Sequence, residues 1–592
     1  MTRNIIKGGE WLVKVIDKAD VFTPEDFDDE HKQIGETAFK FAMNNVVPDM
    51  DELENHNFDL LVKHLRDCGD LGLLMADIPE KFGGLELDKV TSMIIAEKMA
   101  VGGGFSVAHT AHTGIGLLPI VNYGTDDQKE RYLEKLGTGE MFSCYCLTEP
   151  GSGSDALSAA STAILSEDGK HYTLNGIKQF ITNGGFADIF IVFAKIDRKN
   201  FTAFILERSY EGLSSGKEEK KLGIKSSSTT QVILEDVKVP VENVLGEIGK
   251  GHKIAFNILN FGRLKLGACV TGAAKQILSE CVKYTKERKQ FGAPISSFGA
   301  IQEKITRTVA EIYASESLVY RTTGNLNDKI ETLDKDSENY HKEFESSIED
   351  YSIECAIAKV FCSDMLAYTV DEGLQMHGGY GVIQEYPIER YYRDERINRI
   401  FEGTNEVNRM IIPGTILKKG LKGELPLQSE AMKAFELLMT PSLDEIDEDD
   451  LFAAEKLLIN NLKNVFLVLA GSAVQKFMEH IKDEQEILLA AADVVIQLYA
   501  IESTVLRGEK MYDAASDSKK ALIKAVIKTF AFESVERLSV AAKRGAYYIE
   551  EGDNLLMIMA GIRRFTKYDA TGLLDARRLL AKAVIEKEGY IF

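Results

Sequence analysis

The spacing of apolar residues changes twice along the chain. From residue 1 to about 140 apolar positions recur every three or four residues, as in "FDLLVKHLRDCGDLGLL" and "VTSMIIAEKMA", which predicts amphipathic helices. Between 141 and 247 the period drops to two. "KHYTLNGIKQFITNGGFADIFIVFAKI", "FTAFILE" and "TTQVILEDVKVP" alternate β-branched or aromatic residues with polar ones, separated by Asn-Gly and Gly-Gly turns. That segment is expected to form a small antiparallel β-domain. Helical spacing returns over 248–417 in runs such as "KIAFNILNFGRLKLGACVTGAAKQILSECVKYTKER". "KKGLKGELPLQ" (418–428) has the glycines and proline of a linker. Residues 429–592 form a further helical block that opens with the acidic run "SLDEIDEDD", and the charged stretch 324–352 is expected on the surface. The expected fold class is mainly α, with a central antiparallel β-domain and an additional C-terminal helical domain.

Composition narrows the function classes. The 592 residues suffice for several domains, and 45% hydrophobic with 27% charged residues is ordinary for a soluble globular protein. A formal charge of −22 argues against nucleic acid as partner, because neutralising phosphates needs a basic face. The seven cysteines form no CxxC pair and no zinc-like quartet, so they read as reduced, mostly buried thiols of an intracellular protein. The opening "MTRNIIKGGEWLVKVIDKADVF" is interrupted by Lys14 and Asp17 and resembles neither a signal nor a transit peptide. "VFLVLAGSAV" (465–474) is too short for a membrane span, and "ILLAAADVVIQLYA" (487–500), which contains Asp493 and Gln497, reads as a buried helix. A cytoplasmic protein with at most peripheral membrane contact is expected.

Candidate chemistry sits in loops. "LGEIGKGH" (245–252) mimics a dinucleotide loop but lacks a βαβ unit around it, and reads as a turn into a helix. His109 and His112 have no third metal ligand nearby, so packing or hydrogen bonding is expected of them and no metal is called for. "IFEGTNEV" (400–407) puts Glu402 between an aromatic ring and a glycine. An acid in so apolar a setting has a raised pKa and can serve as a base near neutrality. The alternative is a helix-terminal glutamate paired with Arg390, Arg393, Arg396 or Arg399. "YCLTEPGSGSDA" (145–156) supplies hydroxyls at Tyr145, Thr148, Ser152 and Ser154. Such a loop either brings backbone N–H groups to a planar ring or phosphate, or is a plain Gly/Ser turn.

These motifs do not stand alone. "YCLTEPGSGSDA" is followed in order by "FITNGG" (180–185), "ERKQFG" (287–292), "LQMHGGYG" (374–381) and "RIFEGTNEV" (399–407). Over residues ~30 to 415 the set resembles the acyl-CoA dehydrogenase flavoproteins, and the long helical tail resembles their very-long-chain subgroup. The resemblance implies FAD as cofactor, acyl-CoA as substrate, electron-transfer flavoprotein as electron acceptor, and a homodimer or homotetramer. It implies that Tyr145, Leu147 and Thr148 line the isoalloxazine and that Ser154 serves the pyrophosphate or the pantetheine. Thr182 is implied to bond the flavin beside Phe180, where the family usually has Trp. Arg288, Gln290, Phe298, Gln375, Gly378 and Gly379 are implied contacts to the FAD of a neighbouring subunit. Gly299 stands where the family has Gln beside that aromatic residue. Thr404 and Glu406 are implied to complete the FAD site. Arg263, Gly403 and Gly103 are implied substrate contacts, with Arg263 at the CoA end and the triple glycine 102–104 leaving room for a long chain. Glu402 is implied as catalytic base. Gly262 occupies the position where some members carry their base instead. An acyl-CoA oxidase, or a respiratory-complex assembly scaffold of the same fold, are the alternatives.

Overall fold

The computed structural model describes residues 3 to 335, 337, 339 to 440 and 450 to 592; most of the acidic run expected to open the C-terminal block (442–449) lies outside them. The segment 143–245 forms an eight-stranded sheet with strands β1 Ser143–Cys146, β2 Thr162–Leu165, β3 His171–Thr182, β4 Ile189–Ile196, β5 Asn200–Glu207, β6 Leu213–Ser215, β7 Thr229–Pro240 and β8 Val244–Leu245. The order is β6-β7-β3-β2-β4-β5-β8, with β1 paired to β4. The sheet is mixed rather than purely antiparallel, since β1 and β2 both run parallel to β4. Both faces are buried. Cys144, Phe190, Val192 and Ala194 fill the sheet's own core, whereas Tyr145, Ile189, Ile191 and Phe193 point into the core shared with the helices. The period of two read from the sequence is this division between faces.

The helices that matter for the site are α1 Lys89–Met99, α2 Gly104–Thr110, α3 Gly251–Glu287, α4 Gly299–Glu331, α5 Ser352–His377, α6 Pro387–Glu395 and α7 Asn405–Leu421. The α3 helix is the axis, packed on α1 and α5 and touching α4. Helices α8 Ala453–Phe477, α9 Gln485–Ala514 and α10 Asp517–Ile549 of the C-terminal block pack on one another and, through α9, on α4 and α7. Leu458, Val494 and Phe530 belong to the same continuous core as Leu264 and Ile357.

Two further expectations change. The 418–428 stretch is not a free linker: α7 runs to Leu421, Leu425 is buried, and the Lys419 ammonium is buried on the carbonyl of Gly8 and the Asp350 carboxylate. The 324–352 stretch is only partly surface, because Leu326, in the last turns of α4, lies inside the core and Phe344 and Ile348 are buried. Helices α8 and α9 are long and apolar enough to cross a membrane, although 465–474 alone is not. Most of each is buried against protein, so the apolar run is that of core helices. At the other end, Trp11 is buried and its indole N–H donates to Glu354 at 2.8 Å, making the first residues part of the core.

Candidate active site

Glu402 lies on a turn that the surrounding side chains hold in shape. Its φ is +58° and that of Gly403 is +79°; the first is strained for a non-glycine residue, the second favours glycine. Thr404 then caps α7, its hydroxyl accepting the Val407 N–H at 3.2 Å. The buried Asn408 amide donates to the carbonyls of Glu402, Gly403 and Thr404 at 3.3, 2.8 and 3.0 Å. Arg263, buried on α3, donates to the Glu402 carbonyl at 3.3 Å and to Asn260 Oδ1 at 2.8 Å.

The carboxylate itself is left without support. Its Oε2 has no hydrogen-bond partner, and burial pushes the acid up to about 7, opposed by the charges of Arg263 and Lys359. A Cβ built on Gly262 would stand 2.5 Å from Oε2, so glycine there is what lets the acid occupy this place. Gly262 and Glu402 thus adjoin one site.

Glu402 faces a cavity that runs along α3. Gly262, Lys265, Leu266, Cys269, Val270, Ala273 and Ile277 line it at intervals of three and four residues, a single helix face. From Gly262 to Ile277 the axis rises about 22 Å at the usual helical pitch. The opposite wall is Ala100, Gly103, Val107, Ala111 and Thr182, with Asp394 and Asn398 beside them. Gly103, Ile224 and Glu402 all line this cavity with positive φ, and Phe180 and Asn183 flank Thr182 in the same region of φ. Backbone strain gathered in one place is characteristic of functional sites.

The sequence-predicted residues fall into two groups. Tyr145 and Leu147 lie on the helical side of β1, Thr148 is half-buried, and Phe180 is 62% exposed next to Thr182 on the cavity wall. The Gln179 N–H donates to the Thr148 carbonyl at 2.9 Å, which brings the "TEPG" and "FITN" loops together. Ser154 is exposed. The second group lies outside the cavity. Arg288, Gln290, Gln375, Gly378 and Gly379 are all exposed, Arg288 stacks over Tyr380 at 5.4 Å, and Phe298 packs edge-on to Phe291, itself 97% exposed.

Other placements correct the reading. Arg263 is not among the residues that line the cavity; it is buried and donates to the Glu402 carbonyl, so in this conformation it shapes that turn. Gly103 does line the cavity, and its φ of +56° with ψ of −129° also demands glycine as a break before α2. Glu406 is exposed on the first turn of α7. Of the four arginines, Arg393 pairs with Glu389 and Glu54 and Arg399 with Glu395, whereas Arg390 stacks on Tyr391. Asp394 accepts the Ile224 N–H instead of pairing, and burial pushes it up to about 6. His112 takes the Ser143 N–H on Nδ1 and gives Nε2–H to the Leu136 carbonyl; His109 reaches the Leu73 carbonyl at 3.2 Å. Sequence reasoning missed Lys265, whose stem lines the cavity while Asp77 lies 3.8 Å from its ammonium. It missed Glu149 too, whose carboxylate takes the buried Lys178 ammonium at 2.6 Å and the N–H of Ser161, anchoring the loop. One turn of α3 after Gly262 was the signal for the first; nothing local marks the second.

Family models for acyl-CoA dehydrogenase match four segments: the N-terminal domain over 28–140, the middle domain over 144–237, and C-terminal domains over 249–417 and 461–564. A probable acyl-CoA dehydrogenase of Bacillus subtilis is 46% identical over 99% of both chains. The chain belongs to the acyl-CoA dehydrogenase family. The very long-chain specific acyl-CoA dehydrogenase of rat mitochondria is 37% identical over 81% of this chain and 74% of its own. The crystal structure of an acyl-CoA dehydrogenase complexed with FAD from Bacillus anthracis superposes with a TM-score of 0.97 at 49% identity, covering 99% of this chain and all of that one. This dehydrogenase-family chain therefore shares its C-terminal block, and not only its catalytic bundle, with a flavoprotein.

Proposed function

We propose that this protein is a cytoplasmic, FAD-dependent acyl-CoA dehydrogenase that removes the α- and β-hydrogens of long-chain acyl-CoA in fatty-acid β-oxidation and passes electrons to an electron-transfer flavoprotein. The observation that carries the reading is one carboxylate, Glu402, buried without a partner at the end of a long apolar cavity.

The residues present fit the cofactor. Thr182 shares the cavity wall with Glu402, and the Phe180 ring beside it is uncovered by protein. Tyr145, Leu147, Thr148, Phe180 and Thr182 would hold the flavin ring, with Ser154 towards the pyrophosphate or pantetheine and Thr404 and Glu406 completing the site. Arg288, Gln290, Gln375, Gly378 and Gly379, all exposed and outside the cavity lining, would with the half-buried Phe298 hold the FAD of a second subunit in a homodimer or homotetramer. When bound, FAD supplies the two-electron sink that takes the β-hydrogen as hydride.

This chain's own groups do the rest. Glu402 Oε2 accepts the α-proton, and its raised basicity comes from the same burial that excludes water. The Glu402 N–H makes no hydrogen bond among the described residues and is available to the thioester oxygen as charge develops there. The strained turn, tied by Asn408 and Arg263, fixes the carboxylate so that the acid meets one carbon only. The proton and hydride leave adjacent carbons and a trans double bond remains between them.

The cavity supports a long-chain substrate. The lining face of α3 extends about 22 Å beyond the base, the reach of an extended chain of roughly sixteen carbons. A dye-linked assay on hexadecanoyl- and octanoyl-CoA, run with and without oxygen, tests the reading. Dye reduction with hexadecanoyl-CoA and little peroxide supports a long-chain dehydrogenase; peroxide formation without dye would indicate an oxidase, and no turnover a scaffold.

A further inference from the structure

Asn405 immediately follows the Glu402-Gly403-Thr404 turn and is buried with both polar atoms of its side chain engaged. Its Oδ1 accepts the Lys359 ammonium at 2.6 Å, and its Nδ2 donates to Ser363 Oγ and to Asp364 Oδ1, both at 3.0 Å. The other Asp364 oxygen accepts Arg409 at 3.0 Å. The guanidinium of Arg409 then donates through Nε to Asp493 Oδ1 at 2.8 Å, and Asp493 belongs to α9 of the C-terminal block. An unbroken run of hydrogen bonds thus joins a helix outside the catalytic bundle to the turn that carries Glu402.

We propose that Asp493 is a positioning residue for the Glu402 turn, acting through Arg409, Asp364 and Asn405. The inference rests on the reading of Glu402 as the base. Arg409 is planar, and two carboxylates from two different helices hold it in one orientation. Ion pairs this exposed contribute little to stability, so their consequence is geometric. Without the Asp493 charge, Arg409 turns wholly to Asp364 and to Glu406 on its own helix. Asp364 is then drawn off the Asn405 amide, and the Lys359–Asn405 bond slackens.

Lys359 is the link to chemistry. The groups facing it are Glu402, Asp364, Arg263 and Glu406; those facing Glu402 are Arg263, Lys359 and Tyr145. Burial pushes Lys359 itself down to about 7, so it favours the ionised form of Glu402 only while it holds its proton, and a Lys359 that moves away loses that effect on the acid side of the profile. The acid limb of the rate profile must then shift towards higher pH.

The test is anaerobic rapid mixing of FAD-replete protein with hexadecanoyl-CoA, following flavin reduction from pH 5.5 to 9. Asp493→Asn is expected to move the acid limb up by about 0.5 unit, a roughly threefold slower reduction below it, with KM unchanged. Asp493→Glu is expected to keep the wild-type limb. The proposal is overturned if the Asp493→Asn limb coincides with wild type, even with a lowered melting temperature, or if Asp493→Glu moves it equally. Glu402→Gln run alongside separates the two failures: flavin reduction at the wild-type rate would remove the base assignment itself.

Discussion

At the scale of single residues the account turns on Glu402, whose burial has a thermodynamic cost as well as a catalytic use. Its pKa is raised in the folded protein from an ordinary 4.5 to about 7. The folded state therefore holds the proton more tightly than the unfolded chain, and stability present below pH 4.5 is lost as pH rises towards 7. Glu402→Gln carries no such penalty. Its melting temperature should exceed that of wild type by a margin that grows between pH 5 and pH 8; a margin constant across that range would mean the carboxyl is not desolvated as described. The acid's desolvated setting was legible in sequence, because "FEGT" displays a carboxylate between an aromatic ring and a glycine. The role of Arg263 in shaping the Glu402 turn was not legible, for the converse reason. Nothing near Arg263 in sequence shows the Glu402 carbonyl, which it meets 139 residues away.

At the scale of elements, α3 does the positioning, and two substitutions on it separate base from pocket. Gly262→Ala places a methyl carbon where only 2.5 Å separates it from Glu402 Oε2. The carboxylate must move, and misplacement of that order costs about 10²-fold in kcat, with the fold and FAD content retained. Wild-type kcat in that variant would show that the acid is placed by something else. Ala273→Phe fills the cavity three turns further along the same face. Turnover of hexadecanoyl-CoA should fall at least tenfold more than that of octanoyl-CoA, because each excluded methylene forfeits about 0.8 kcal/mol. Equal losses on both substrates would mean the cavity does not house the chain's end. Gly103 is a poorer probe, since its backbone conformation excludes a side chain whatever the space. Helix and strand periods were readable because each element has one dominant environment. The parallel pairing of β1 and β2 with β4 was not, because register between strands distant in sequence leaves no local trace.

At the scale of the whole molecule, the C-terminal block is bonded into the catalytic bundle by buried charges. Arg321 of α4 meets Glu502 of α9 at 2.8 Å, and Glu502 also takes Lys463 of α8 at 2.6 Å. Arg507 of α9 reaches Glu316 of α4 at 2.7 Å and Glu25 at 2.9 Å. Removing one partner of a buried pair strands the other, so Arg507→Ala should destabilise by about 3–5 kcal/mol in denaturant unfolding. A loss below about 1 kcal/mol would mean the block is merely appended. The linker expected at 418–428 failed for this reason. Glycines and a proline signal a turn, but Lys419 is tied to Gly8 from 411 positions away, a contact no local pattern encodes. What the sequence does display at this scale is the order of four segments and of five motifs, each confined to a few neighbouring residues.

The central claim is that one partnerless carboxylate removes the α-proton. It is tested most directly by mixing FAD-replete Glu402→Gln with hexadecanoyl-CoA under anaerobic conditions and following flavin absorbance in a stopped-flow instrument. The amide keeps the shape and loses the basicity. The account predicts that acyl-CoA still binds while the rate of flavin reduction falls by about 10²–10⁴-fold. Reduction at more than roughly a tenth of the wild-type rate would contradict it, because general-base catalysis on this scale could not then belong to Glu402.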